Sequence, residues 1–259
     1  LYWPSRLDPF QKGVELLEAI AWEFVHAHPD VQIAIVGDGV GNDRTHVDIL
    51  GRIAFASGGR IAYHPFTEAL SMLGYGAASD VFGASLYEPC GQIDQVGNLF
   101  GATATNRDTG GYHDKIRELR LKEDGSPQDV GNGFLFRDYD RGGLWYALDK
   151  SVRFHRKPRE VRERQLKRIM REARQAYDLG GMIAAYIRIY ERLNGDQPLY
   201  ASLHSPIACP TFKGTFEKLL SRLNVVIPGK AGSECIQLFS GCRVKPGMTC
   251  EAVFQASQG

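Results

Sequence analysis

Short apolar, β-branched runs alternate with amphipathic stretches of helical length through most of this chain, and that rhythm admits few folds. Residues 14–28 put Leu16, Leu17, Ile20, Ala21 and Phe24 at helical spacing. Residues 31–36 (VQIAIV) are stopped by Gly37-Asp38-Gly39, as a buried parallel strand would be. Helices are expected over residues 47–57, 67–77 and 92–100, with strands over 60–64, 80–85 and 133–136. A short run at 102–105 precedes a glycine turn at Thr109-Gly110-Gly111. Strands separated by helices of this size imply right-handed crossovers and a parallel sheet covered on both faces. The expected fold is therefore α/β, a doubly wound parallel sheet of Rossmann-like type. Its ligands should bind in the loops beyond the carboxyl ends of the strands.

Residues 140–195 turn helical and charged. Residues 156–174 interleave Arg and Lys with Glu160, Glu163 and Glu172, while Val161, Leu166, Ile169 and Met170 form one apolar stripe. That pattern fits a solvated amphipathic helix better than a polyanion site. A last helix over 179–193 carries Ile183, Tyr186, Ile187 and Tyr190, a stripe expected to pack against the sheet domain. Beyond Asn194-Gly195 the pattern decays, with one helical piece at 215–223. Residues 1–195 are thus expected to be the folded domain, and 196–259 an irregular tail rich in Cys, Pro and Gly with the composition of a poorly ordered extension. Cys209, Cys235, Cys242 and Cys250 crowd that tail at spacings too long and irregular for a zinc site.

The formal net charge of +1 leaves no electrostatic footprint for nucleic acid or an anionic membrane, and neither partner is expected. No apolar run approaches the roughly 20 residues that span a bilayer. Leu1-Tyr2-Trp3-Pro4 carries no signal-like stretch and the body is thiol-poor, so a cytoplasmic location is expected. The start lacks Met, and Pro4-Ser5-Arg6 reads as the end of a strand begun upstream, so a fragment or processed half is expected.

Three strand-end loops share a chemistry. Ser5 to Gly13 sets Arg6 and Lys12 around a turn and opens a helix, which suits a diphosphate through charge and free backbone N–H groups. Glu88-Pro89-Cys90-Gly91 follows a strand, where a carboxylate can hydrogen-bond sugar hydroxyls and Gly91 lets backbone approach a ligand. Thr109-Gly110-Gly111 offers a backbone nest for phosphate oxygens. Each loop alone is an ordinary tight turn; their joint placement at strand ends gives them weight.

Ser5-Arg6-Leu7…Gln11-Lys12-Gly13, Tyr87-Glu88-Pro89-Cys90-Gly91 and Thr109-Gly110-Gly111 resemble, in order and separation, the SRL-QKG, EPCG and TGG signatures of bacterial glycogen and plant starch synthases. The resemblance covers about residues 4–193 and matches the second, donor-binding domain of a GT-B glycosyltransferase. It implies retaining transfer of glucose from ADP-glucose or UDP-glucose to an α-1,4-glucan, without a cofactor or metal. Arg6 and Lys12 would then grip the diphosphate and stabilise the leaving group. Glu88 would lie by the transferred glucose, with the N–H groups of Cys90 and Gly91 on its hydroxyls. Thr109, Gly110 and Gly111 would meet the distal phosphate, and Tyr63 would stack on the base or pack in the core. An N-terminal acceptor domain, with its own lysine-glycine-glycine loop, would complete the enzyme; no such loop occurs in this sequence.

Some positions depart from the family pattern. The first loop is one residue longer than the SRL-x-x-QKG form, and Gln92-Ile93-Asp94-Gln95 replaces Leu-Thr-Gln-Leu. Val96 stands where many related transferases have a second glutamate, which bacterial glycogen synthases also lack. Asp94 is expected to stabilise a helix N-terminus rather than touch ligand. Gly37-Asp38-Gly39-Val40-Gly41 lacks the dinucleotide spacing and reads as a strand-ending turn. Asp138-Tyr139-Asp140 likewise reads as a turn, His26 and His28 face apart, and Cys90 has no evident base. Two other readings remain: a non-catalytic nucleotide-sugar or glucan-binding module, and a transferase of sucrose or mannose chemistry on the same architecture, which EPCG with TGG disfavours.

Overall fold

The computed structural model describes residues 1–120 and 130–193. The expected tail, with its helical piece and four cysteines, lies outside the described residues. Two compact units divide at Met170.

The first unit is built on six parallel strands: β1 (Tyr2–Trp3), β2 (Ile33–Val36), β3 (Ile61–His64), β4 (Asp80–Gly83), β5 (Thr103–Arg107) and β6 (Gly133–Phe136). Their order across the sheet is β3-β2-β1-β4-β5-β6, the doubly wound order the alternation predicts. Register follows the side-chain pattern: Tyr2 lies opposite Ala34 and Val81, and Trp3 opposite Ile35. Alternate residues then feed two separate cores. Trp3, Ile33, Ile35, Ile61 and Phe82 meet α1 (Val14–Ala27), α2 (Thr45–Ala56) and α6 (Arg141–His155) through Leu17, Phe24, Leu50, Leu144 and Leu148. Tyr2, Val36, Val81 and Ala104 meet α3 (Glu68–Ala77), α4 (Ile93–Leu99) and α5 (Gly110–Lys115) through Leu70, Tyr75, Ile93 and Tyr112. Each large apolar side chain buried this way contributes about 1.5–3 kcal/mol.

Local chemistry sets where the helices begin. Thr67 caps α3, its side chain accepting the Leu70 N–H at 3.2 Å. Asp140 caps α6 through Gly143 at 2.7 Å, so Asp138-Tyr139-Asp140 is a helix-entry turn. α7 (Arg159–Ala176) buries Ile169 and Met170 on its apolar stripe, as its interleaved charges predict.

Three expectations are corrected. Thr109-Gly110-Gly111 is the entry to α5 rather than a free turn: Thr109 is extended and Gly110, at φ 45°, opens the helix. The strand expected at 102–105 runs on to Arg107, paired to Phe136 of β6. In the second unit, α8 (Leu179–Leu193) buries none of its residues, and Tyr186 and Tyr190 are exposed. The spacing that placed α8 is right, but periodicity alone does not say what covers an apolar stripe.

Candidate functional site

β1 and β4 are neighbours whose crossovers leave in opposite directions, so a crevice opens above their carboxyl ends. The loop after β1 forms one wall. Asp8 fixes it: its Oδ1 accepts the N–H groups of Phe10 and Gln11 at 2.9 and 3.1 Å, and its carbonyl accepts Lys12 N–H at 2.8 Å. This Asx turn accommodates the additional residue of the loop, projecting Phe10 outward with 83% exposure. Gly13 follows in the left-handed region at φ 69° and opens α1 without a side-chain cap. A Cβ there would stand 2.2 Å from the Ala84 carbonyl oxygen, so only glycine fits.

The loop after β4 forms the opposite wall, and the two are joined where Leu86 N–H donates to Gln11 O at 2.8 Å. Across this join Lys12 Nζ meets Glu88 Oε2 at 2.6 Å, with side chains 17% and 9% exposed. The buried Ser85 hydroxyl donates to the same Glu88 oxygen at 3.1 Å. Beside it, burial raises the Tyr112 phenol well above its ordinary pKa, and the charges of Glu88 and Asp94 add to that. Lys12 and Glu88, expected apart in sequence, are therefore in contact. Arg6 shares the loop but is exposed, its guanidinium donating to Gln11 Oε1 at 3.0 Å.

The Glu88 loop is sewn to the third loop through backbone. Gly111 N–H donates to Glu88 O at 2.9 Å. A Cβ on Gly110 would lie 2.0 Å from Glu88 O, and one on Gly111 1.8 Å from Cys90 O. These glycines are explained by loop-to-loop packing, and the Gly111 N–H is already spent. Gly91 has φ 69°, and the Tyr112 ring occupies the space a side chain would need. Cys90 is exposed with a free thiol.

Asp94 stands at the N-terminus of α4, as expected. It is fully buried in the first turn of α4, where burial pushes its pKa up and Lys115 opposes that shift. Lys115 Nζ lies 3.1 Å from Asp94 Oδ1 and donates to Gly91 O at 2.5 Å, binding α4, α5 and the Glu88 loop. Arg107 supports the same loop, donating to Leu86 O at 2.5 Å and Arg137 O at 3.1 Å. Sequence reasoning missed Ser85, Tyr112, Lys115 and Arg107. Tyr112 and Lys115, three apart, become visible as a pair once residues 110–115 are read as a helix.

The remaining candidates have contacts of their own within the fold. Tyr63 packs on the larger core and its hydroxyl donates to Gly37 O at 3.1 Å. Asp38 Oδ1 accepts Phe66 N–H at 3.0 Å, so the Gly37–Gly39 segment is a strand-ending turn. Tyr139 donates to Glu15 Oε1 beside the start of α1. His26 accompanies Trp22 O at 2.7 Å while His28 is buried near Asp149. Among the described residues no cluster of three His, Cys, Asp or Glu could hold a metal ion, and no helix is long and apolar enough to cross a membrane.

No protein-family model matches the chain. It is 32% identical over 162 residues to the glycogen synthase of Desulforudis audaxviator (strain MP104C), covering 62% of this chain and 30% of that protein. To the glycogen synthase of Bacillus subtilis (strain 168) it is 30% identical over 186 residues, 71% of this chain and 35% of that protein. The chain thus spans about a third of the length of these relatives. Among solved structures it is similar to the catalytic domain of starch synthase IV from Arabidopsis thaliana bound to ADP and acarbose. The TM-score is 0.60 at 26% identity, over 74% of this chain and 38% of that one. The fold extends to the sucrose-phosphate synthase of Thermosynechococcus elongatus, with a TM-score of 0.55 at 22% identity, covering 76% of this chain and 45% of that chain. With its three loops at the carboxyl ends of β1, β4 and β5, the chain is a glycogen/starch synthase-like GT-B domain.

Proposed function

We propose that this chain is the donor half of a retaining glucosyltransferase that moves glucose from ADP-glucose or UDP-glucose to an α-1,4-glucan. The observation that carries the reading is the Lys12–Glu88 contact above the switch point, where cation and carboxylate come from two different strand-end loops. Lys12 supplies charge to the diphosphate, with Arg6 on the same loop and the uncapped N-terminus of α1 adding favourable field. As the bond between the sugar and the diphosphate breaks, negative charge grows on the departing oxygen, and fixed cations there lower the barrier. Glu88, held by Ser85, faces the sugar hydroxyls. Binding of ADP by the solved starch synthase IV domain supports a nucleotide diphosphate as ligand.

The acceptor and the rest of the cleft must come from other residues, since orienting a glucan and excluding water require a second wall. That wall is the N-terminal domain of the proposed enzyme, and the chain's coverage of about a third of its relatives supports this. The test is calorimetric titration of the chain with ADP, UDP and their glucose derivatives, beside Lys12→Ala. Loss of a charge-assisted contact should weaken binding by roughly 1.5–3 kcal/mol. A folded Lys12→Ala variant that binds as tightly as the parent would sink the donor-site assignment.

A further inference from the structure

We propose that the Lys12–Glu88 ion pair is what lets this site discriminate a nucleotide sugar from a bare nucleotide. The inference rests on the donor-site reading and adds a selectivity mechanism to it. Lys12 and Glu88 hold each other at 2.6 Å, mostly out of solvent. Any diphosphate that takes the Lys12 ammonium must draw it from that carboxylate. The two partners are not equally free to move. Glu88 is buried, its Oε2 also receives the Ser85 hydroxyl, and its own carbonyl accepts the Gly111 N–H. Lys12 carries its charge on a flexible four-carbon stem that can swing. The lysine therefore transfers and the carboxylate stays.

What happens next depends on the ligand. A bare nucleoside diphosphate leaves Glu88 charged, buried and short of one donor, with phosphate charges newly beside it. Stranding a buried carboxylate in this way is costly. A nucleotide sugar brings hydroxyl donors to the same place, so the carboxylate exchanges an ammonium for sugar O–H groups and the cost is offset. The pair thus penalises the sugar-free nucleotide, which favours substrate over product without any contact to the base.

The test is calorimetry on the full chain with ADP, UDP and the two glucose derivatives, comparing the parent with Glu88→Gln, Ser85→Ala and Lys12→Ala. Glu88→Gln keeps shape and releases Lys12, so bare-nucleotide affinity should rise roughly three- to tenfold, while the preference for the sugar derivative falls by about tenfold. Ser85→Ala keeps the pair but removes the donor that Glu88 retains when Lys12 leaves; it should weaken the bare nucleotide a few-fold more than the sugar derivative. Urea unfolding of each variant confirms that folded molecules are compared. Should the parent bind nucleotide through Lys12 while Glu88→Gln binds ADP or UDP no more tightly, the exchange mechanism is wrong and the donor-site reading survives. Failure of parent and Glu88→Gln alike to bind any of the four ligands overturns both.

Discussion

The two edges of the sheet are held by different means. At the edge where strands begin, side chains do the joining. Arg60 donates to the carbonyls of Val25, His28 and Val31, closing the end of α1. Arg156 forks onto Asp30 at 2.6 and 3.0 Å, and Asp80, fully buried, accepts the Thr103 hydroxyl. At the edge where strands end, glycines let backbone meet backbone, and Arg107 and Lys115 add side-chain bonds to loop carbonyls. Gly13 leaves room for the Ala84 carbonyl and Gly111 for that of Cys90. The difference teaches where function can live. Where strands begin, Arg60 and Arg156 are engaged by backbone carbonyls and by Asp30. Where strands end, Arg107 and Lys115 hold loop carbonyls, while Arg6 is exposed and Lys12 faces Glu88 across the crevice.

The sharpest way to break this comparison is Gly111→Ala. Its Cβ would fall 1.8 Å from a backbone oxygen, which no rotamer change relieves. Stability should drop by about 3 kcal/mol or more in urea unfolding, with nucleotide binding lost as well. A well-folded, fully stable variant would mean that the loops are not joined in this way. Next comes Arg60→Ala, which leaves helix-end carbonyls without their donor. A loss of about 2–3 kcal/mol is expected, with nucleotide affinity per folded molecule unchanged. Altered affinity there would show that the two edges are coupled.

Asp80 provides a smaller effect with a defined sign. Burial raises its folded pKa above the ordinary carboxylate value, with hydroxyl hydrogen bonds opposing. The unfolded chain therefore gives up this proton first. This group's contribution to stability is full below the unfolded pKa and declines as pH rises from there to the folded one. Asp80→Asn should abolish that decline, leaving stability at neutral pH equal to the parent or about 1 kcal/mol above it. A loss greater than about 1 kcal/mol would mean that the ionised carboxylate is what the fold uses. Smallest of all is Arg141→Ala. Its pair with Glu23 is more than half exposed on both sides, so the change should stay under about 0.5 kcal/mol by the same unfolding measurement.

Periodicity carried most of the fold into view, since β-branched runs stopped by glycine mark buried strands whatever surrounds them. Residues 133–136 and 179–193 were found to the residue. Less legible were features that depend on partners distant in sequence. The two-residue β1 has no periodicity of its own and is a strand only because β2 and β4 flank it. The glycines of 109–111 read as a phosphate nest, whereas their tightest constraint is the carbonyls of Glu88 and Cys90. At the site, Lys12 and Glu88 were visible as chemistry but not as a pair. Ser85 carries no local mark, and Tyr112 and Lys115 carry one only when residues 110–115 are read as a helix.

β1 has one more consequence, for the order of events in a growing chain. It is the middle of the sheet, yet Tyr2 finds its neighbours in Ala34 and Val81, both made later. At ribosomal rates of roughly 5–20 residues per second, the wait for the second neighbour is on the order of ten seconds. Throughout that interval Tyr2 and Trp3, destined for opposite cores, are without their final cover. Of the two seams that β1 makes, the one with β4, directly beneath the crevice, is then the later to close during synthesis.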